Sequence, residues 1–139
     1  MSRVINVSSP GKRRHHSRRT IAELLRHLGQ KTELDAEAKD MAAAVVINLQ
    51  EIADTIEVTT EAWEKRDYYL KADRFRLEWE WVQPAADALL DIVVGERWEL
   101  LAIQLASLSY RFNDVKVARM TRPASTWEDS FAALVTANQ

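Results

Sequence analysis

The chain has 139 residues, no cysteine, three glycines, three prolines and a formal net charge of −2. The missing cysteine excludes disulfides, thiolate metal sites and cysteine nucleophiles, and no run of about 18 apolar residues is present to span a membrane. So few turn formers exclude an all-β fold, which needs a turn roughly every eight to twelve residues, and point to an all-α chain of long helices.

Charge is spread unevenly. Residues 1–27 hold seven basic side chains against one acid, Glu23, while the rest of the chain holds twelve basic against twenty acidic groups. An acidic body repels phosphate, so contact with nucleic acid or an acidic protein would fall to the basic stretch, through Lys12, Arg13, Arg14, Arg18 and Arg19. Residues 1–16 mix Ser, Pro, Gly and positive charge, and read as a flexible arm with nothing to bury. Its removal is expected to leave stability unchanged. The polar N-terminus carries no apolar leader, so a cytoplasmic protein without membrane contact is expected.

A first helix is predicted from Ser17 or Thr20 through Leu28, with Ile21, Leu24, Leu25 and Leu28 on one stripe and Gly29 just past its end. A second begins near Asp35, whose carboxylate and that of Glu37 suit the positive end of a helix, and buries Met41, Val45, Leu49, Ile52 and Ile56. The β-branched run Val58, Thr59 and Thr60 is expected to end it. A third, from about Glu61 to Val93, would be about 50 Å long at 1.5 Å per residue. On it Phe75, Trp79, Val82, Ala86, Leu89 and Val93 share a stripe. Pro84 is expected to kink this helix, with Ala85, Ala86 and Ala88 allowing close packing beyond the kink. Side chains two positions apart on a helix point to different faces, so one of Trp79 and Trp81 is expected in the core and the other at a subunit interface.

Gly95 marks the turn into a fourth helix, antiparallel to the third, with Trp98, Leu101, Leu105, Leu108, Phe112 and Val115 at three- and four-residue intervals. A short C-terminal helix should follow, with Thr126 as its cap and Asp129 completing a capping box. The expected organisation is an arm (1–16), an antiparallel up-down four-helix bundle (17–122) and a tail with a short helix (123–139).

Motifs for chemistry are sparse. Glu23 and His27 lie one turn apart, but a di-iron bundle wants Glu-x-x-His twice with further inward carboxylates, and no Glu-x-x-His occurs. No nucleophile elbow, Gly-rich phosphate loop or His-Glu-x-x-His is present. Neither enzyme activity, nor a metal, nor a cofactor is expected.

Three stretches, "DMAAAVVINLQEIADTI", "AWEKRDYYLKADRFRLEWEWVQPAADALLD" and "VGERWELLAIQLASLSYRF", carry a family resemblance, with Asp73, Arg76 and Arg97 to Glu99 at its marked places. Together they resemble the accessory variability determinant proteins of diversity-generating retroelements, which belong with the four-helix bundles encoded in ribosomal-RNA intervening sequences. The resemblance implies a non-enzymatic subunit that forms a homo-oligomer, a pentamer in that family, and binds a reverse transcriptase and its template RNA. Arg66, Arg74 and Arg76 would then join the arm in holding RNA, and whichever of the interface candidates Trp79 and Trp81 lies outside the core would serve the oligomer contact. The alternative is a helical protein-interaction adaptor of a mobile element with no nucleic-acid role.

Overall fold

In the computed structural model, which describes residues 9–139, every regular element is helical. The first helix, α1 (Pro10–Gln30), starts well before the predicted boundary. Ser9 caps it by accepting from the Lys12 N–H, and Pro10 takes the first helical position, where its fixed φ is preorganised and no N–H is needed. The expected arm is therefore helical from residue 10 onward, and its remaining residues, 1–8, lie outside the described part. What the composition concealed is that arginines bury their stems. Arg14 and Arg18 lie over aromatic rings, so residues with no apolar label still have surface to cover.

The next helix, α2 (Ala36–Glu64), is 29 residues long, about 43 Å. Asp35 caps it through a 2.8 Å bond from the Ala38 N–H. The β-branched run does not end it. Thr55 and Thr60 turn their hydroxyls back onto the carbonyls of Ile52 and Ile56, and both side chains are fully buried, so packing overrides a weak local preference. The helix stops at the end of the next turn. Asp67 adopts φ 64°, and the N–H groups of Asp67 and Tyr68 close back on Glu64 and Trp63.

The expected long third helix is two helices, α3 (Tyr69–Trp79) and α4 (Val82–Val94). The interruption falls at Glu80 and Trp81, one turn before Pro84. Proline removes its own N–H and crowds the carbonyl four residues back, which here is Glu80, so the helix opens there. Pro84 itself lies in the first turn of α4, where N–H groups have no intrahelical partner, and regular bonding resumes from Ala85 N to Trp81 O at 3.1 Å. No side chain caps the start of α4.

At the next turn the left-handed residue is Glu96 (φ 54°), not Gly95 (φ −79°). Gly95 answers a different need: a Cβ there would stand 2.7 Å from the carbonyl oxygen of Asp91. The fourth predicted helix is shorter than expected. A 3-10 turn over Trp98–Leu100 leads into α5 (Leu101–Ser109), and another over Tyr110–Phe112 ends it. An irregular strap, residues 113–123, then returns across α1, and after a 3-10 turn at Ala124–Thr126 comes α6 (Ser130–Ala137). Thr126 and Asp129 do not form the capping box. Instead the Asp40 carboxylate of α2 accepts from the N–H groups of Asp129 and Phe131, capping α6 from another helix.

The core centres on α2, against which α1, α3, α4 and α6 all pack. Pairing of Arg13 with Glu51 and of Lys31 with Asp35 sets α1 antiparallel to α2. Met41, Val45, Leu49 and Ile52 of α2 meet Ile21 and Leu24 of α1 and Val82, Ala86, Leu89 and Val93 of α4 in one buried cluster. Trp127 and Leu134 join it, so the tail is docked on the body.

Candidate interaction surface

Five aromatic rings form a continuous ladder across one side of the molecule. Trp63, at the end of α2, meets Phe75 edge-on at 5.1 Å, and Phe75 meets Trp79 at 6.1 Å. Trp79 and Trp81 stack at 6.2 Å with an interplanar angle of 28°, and Trp81 meets Phe112 edge-on at 5.8 Å. The two tryptophans thus face each other, and both pack partly buried against the core of the same chain. They can do so because the helix is interrupted between them, which removes the premise that residues two apart must diverge.

Cations interleave with the rings. Lys71 lies 4.4 Å from the centre of Trp63, Arg14 4.9 Å from that of Phe75, and Arg111 5.1 Å from that of Trp81. Arg18 stands between Trp79 and Phe112 at 5.9 and 5.5 Å. Ring faces are electronegative, so these contacts are attractive, and most so where water is displaced. Burial pushes the Arg14 guanidinium below its ordinary pKa, an effect that nearby Glu78 offsets in part, and the hydroxyls of Thr55 and Thr59 accept its N–H groups.

The other cations expected to hold RNA divide into two groups. Arg13 pairs with Glu51 at 2.6 Å, a contact that raises the arginine and lowers the carboxyl. Arg18 pairs with Asp114 at 2.7 Å, Arg19 with Glu23 at 2.8 Å, and Arg76 with Glu64 at 3.0 Å and Asp73 at 3.4 Å. Lys12, Arg66 and Arg74 are exposed. Of these, Arg74 lines an open groove of about 850 Å³ at the corner of α2 and α3, together with Trp63, Asp67, Tyr68, Tyr69, Leu70, Lys71, Phe75 and Glu78. Tyr68, Tyr69 and Leu70 are 50, 56 and 64% exposed, high for side chains of this size. Leu77, further along α3, is 66% exposed.

Sequence reading missed this corner. Its signal was "KRDYYLK", two tyrosines and a leucine among charges, which becomes a surface only once the chain breaks at Asp67. It missed Glu23 as well. That side chain is fully buried and accepts from the backbone N–H and hydroxyl of Thr121 at 2.5 and 2.6 Å, from Arg19 at 2.8 Å and from the Arg122 N–H at 3.3 Å. Burial alone would raise its pKa. The bonds from Thr121 and Arg19 and the charge of Arg122 outweigh that and hold it at about 2. With Arg18 on Asp114, and Arg19 and Arg26 on the carbonyls of Lys116 and Val117, Glu23 fastens the strap to α1.

Among the described residues no group of three or more His, Asp or Glu side chains is placed to hold a metal ion, and no helix is long and apolar enough to cross a membrane. Set against protein-family models, curated proteins and solved structures, the chain has no match in any of the three comparisons.

Proposed function

We propose that this protein is a non-enzymatic accessory subunit that holds single-stranded RNA at the α2–α3 corner and works beside a reverse transcriptase, as the resemblance to the accessory variability determinants implies. The observation that carries the reading is the corner itself: Tyr68 and Tyr69 exposed beside Lys71 and Arg74, with Trp63 and Phe75 forming the floor. Bases stack on aromatic side chains while nearby cations track the phosphates, and each stacked base contributes on the order of 1–3 kcal/mol. In this reading α1, α2, the α3–α4 pair and α5 act as the four rods of an up-down bundle. Copies associate through α5, which carries no charge and leaves Ile103 exposed, with Leu100 exposed just before it. The site of action is the cytoplasm.

A second reading, a protein-interaction adaptor without a nucleic-acid role, draws on a specific observation. Arg13, Arg14, Arg18, Arg19 and Arg76 are bonded within the chain, so five of the eight cations expected on RNA are already engaged. Fluorescence anisotropy with a labelled single-stranded RNA of about 16 nucleotides, a length spanning common site sizes, separates the two. Tyr69→Ala and Arg74→Ala should each weaken binding about tenfold, and Arg74→Ala should flatten the salt dependence by roughly 0.7 per lost phosphate contact. Binding that ignores both substitutions refutes the corner, and no binding at 50 mM salt, about the most permissive condition, favours the adaptor.

A further inference from the structure

A different cleft lies at the other end of the aromatic ladder. Arg18, Trp79, Trp81, Tyr110, Arg111 and Asp114 line it, and its volume is about 360 Å³. Arg18 gives one N–H, from Nη2, to Asp114 Oδ1 at 2.7 Å. The adjacent Nε–H of Arg18 is buried without an acceptor, and so is the Nε1–H of Trp79. Among the described residues these are the two buried side-chain polar atoms left unpartnered, and both belong to residues of this cleft.

The chemistry of a guanidinium makes the first of these informative. Nε and Nη2 point the same way and form a fork that takes two oxygens of one oxyanion in parallel. Asp114 fills half of the fork. Its side chain is 66% exposed on the irregular strap, against 20% for Arg18, so it is free to swing out while Arg18 stays in place. A second guanidinium, Arg111, is exposed on the same cleft and held over Trp81. Tyr110, 77% exposed, adds a hydroxyl. One further carboxylate, Glu78, lines the cleft, and it also faces Arg14.

We propose that this cleft is a phosphate-binding site, in which an incoming phosphate group displaces Asp114, takes both N–H groups of the Arg18 fork and is closed over by Arg111. A phosphate fits better than a carboxylate because the fork, Arg111 and the indole N–H together offer more donors than two oxygens can use. Asp114 acts as an internal competitor for the site. The inference does not rest on the RNA reading: Glu78 lines both places, but the Arg18 fork, Trp79, Trp81, Arg111 and Asp114 that make this site are not residues of the α2–α3 corner.

The test follows the Arg18 Nε–H and Trp79 Nε1–H resonances of the full chain by proton–nitrogen NMR during titration with inorganic phosphate, adenosine monophosphate, adenosine or acetate. Both resonances should move and saturate with inorganic phosphate and with the nucleotide, while adenosine leaves them in place and acetate binds at least several-fold more weakly. Equal affinities for the two phosphates would identify the phosphate group alone as the ligand, and a tighter nucleotide would identify a nucleoside monophosphate. Arg111→Gln, an exposed change, should weaken binding about tenfold. Asp114→Asn should tighten it about two- to five-fold, because the competing ion pair is exposed and weak. The proposal is overturned if neither resonance moves, if acetate matches phosphate, or if Asp114→Asn leaves affinity unchanged or lowers it.

Discussion

Glu23 offers the sharpest test of how the fold is held. It is the only acid in the first 27 residues and the pin that ties the strap at Thr121 and Arg122 to α1. Its ordinary pKa of 4.5 falls to about 2 in the folded chain. At about 1.36 kcal/mol for each tenfold change in proton affinity, that corresponds to roughly 3 kcal/mol of stability linked to ionisation. Because folding lowers this pKa, the contribution is fully present above about pH 4.5 and is lost as the pH falls toward 2. Glu23→Gln keeps the shape and removes the charge. Arg19 is 32% exposed and can return to water, so the loss should stay near 3 kcal/mol, at the low end for a broken buried pair, about 3–5 kcal/mol. Urea denaturation of both forms at pH 7 and at about pH 2.5 reads the effect, with the difference between forms reported so that the other carboxylates cancel. The gap should be roughly 3 kcal/mol at neutral pH and shrink on acidification. A gap under about 0.5 kcal/mol at pH 7, the ordinary range of a surface change, or one that does not close in acid, refutes the reasoning.

Ala86 is fully buried between α4 and its neighbours, so Ala86→Leu should overpack and cost about 1–3 kcal/mol, read as a lower melting temperature. Glu96 holds a left-handed conformation on the surface, so Glu96→Gly should stabilise by up to about 1 kcal/mol in chemical denaturation, whereas Gly95→Ala should destabilise by bringing a Cβ against Asp91. Deleting residues 1–16 should destabilise by about 2–4 kcal/mol, through loss of the Ser9 cap, the Arg13–Glu51 pair and the Arg14 contacts, in contrast to the unchanged stability expected of a loose arm.

What periodicity encodes was legible in the sequence, and what depends on chain geometry was not. The all-helical class and the stripes of α1, α2 and α4 follow from spacing, and Met41, Leu49, Ile52, Ala86, Leu89 and Leu108 are buried as expected. Helix ends were harder to place because tertiary contacts decide them. Thr60 continues α2 because its side chain is buried and bonded backward, and α6 is capped by Asp40, about ninety positions away in sequence. The corner groove was hidden for a related reason. Nothing local requires a non-glycine residue to turn left-handed, yet Asp67 does so, and together with the non-helical Tyr68 it turns "DYYLK" from a helix face into a platform.

The charge asymmetry was read correctly as composition and differently as structure. A basic stretch on an acidic body suits an outside partner, but the body is also a partner. Glu51 of α2 takes Arg13, Asp114 of the strap takes Arg18, and the carbonyls of Lys116 and Val117 take Arg19 and Arg26. Arginine suits this use: its guanidinium stays charged while its flat face covers Phe75, Trp79 or Phe112, so one residue supplies packing and electrostatic closure together. Much of the positive charge that composition offered to a phosphate backbone is therefore spent on holding α1 to its own chain. Cations that make no ion pair or hydrogen bond among the described residues, such as Arg74, are the ones that can meet a ligand without first breaking the fold. Arg18 joins them only if Asp114 leaves, which is why the behaviour of Asp114→Asn decides whether this internal pairing is purely structural or also holds a site closed.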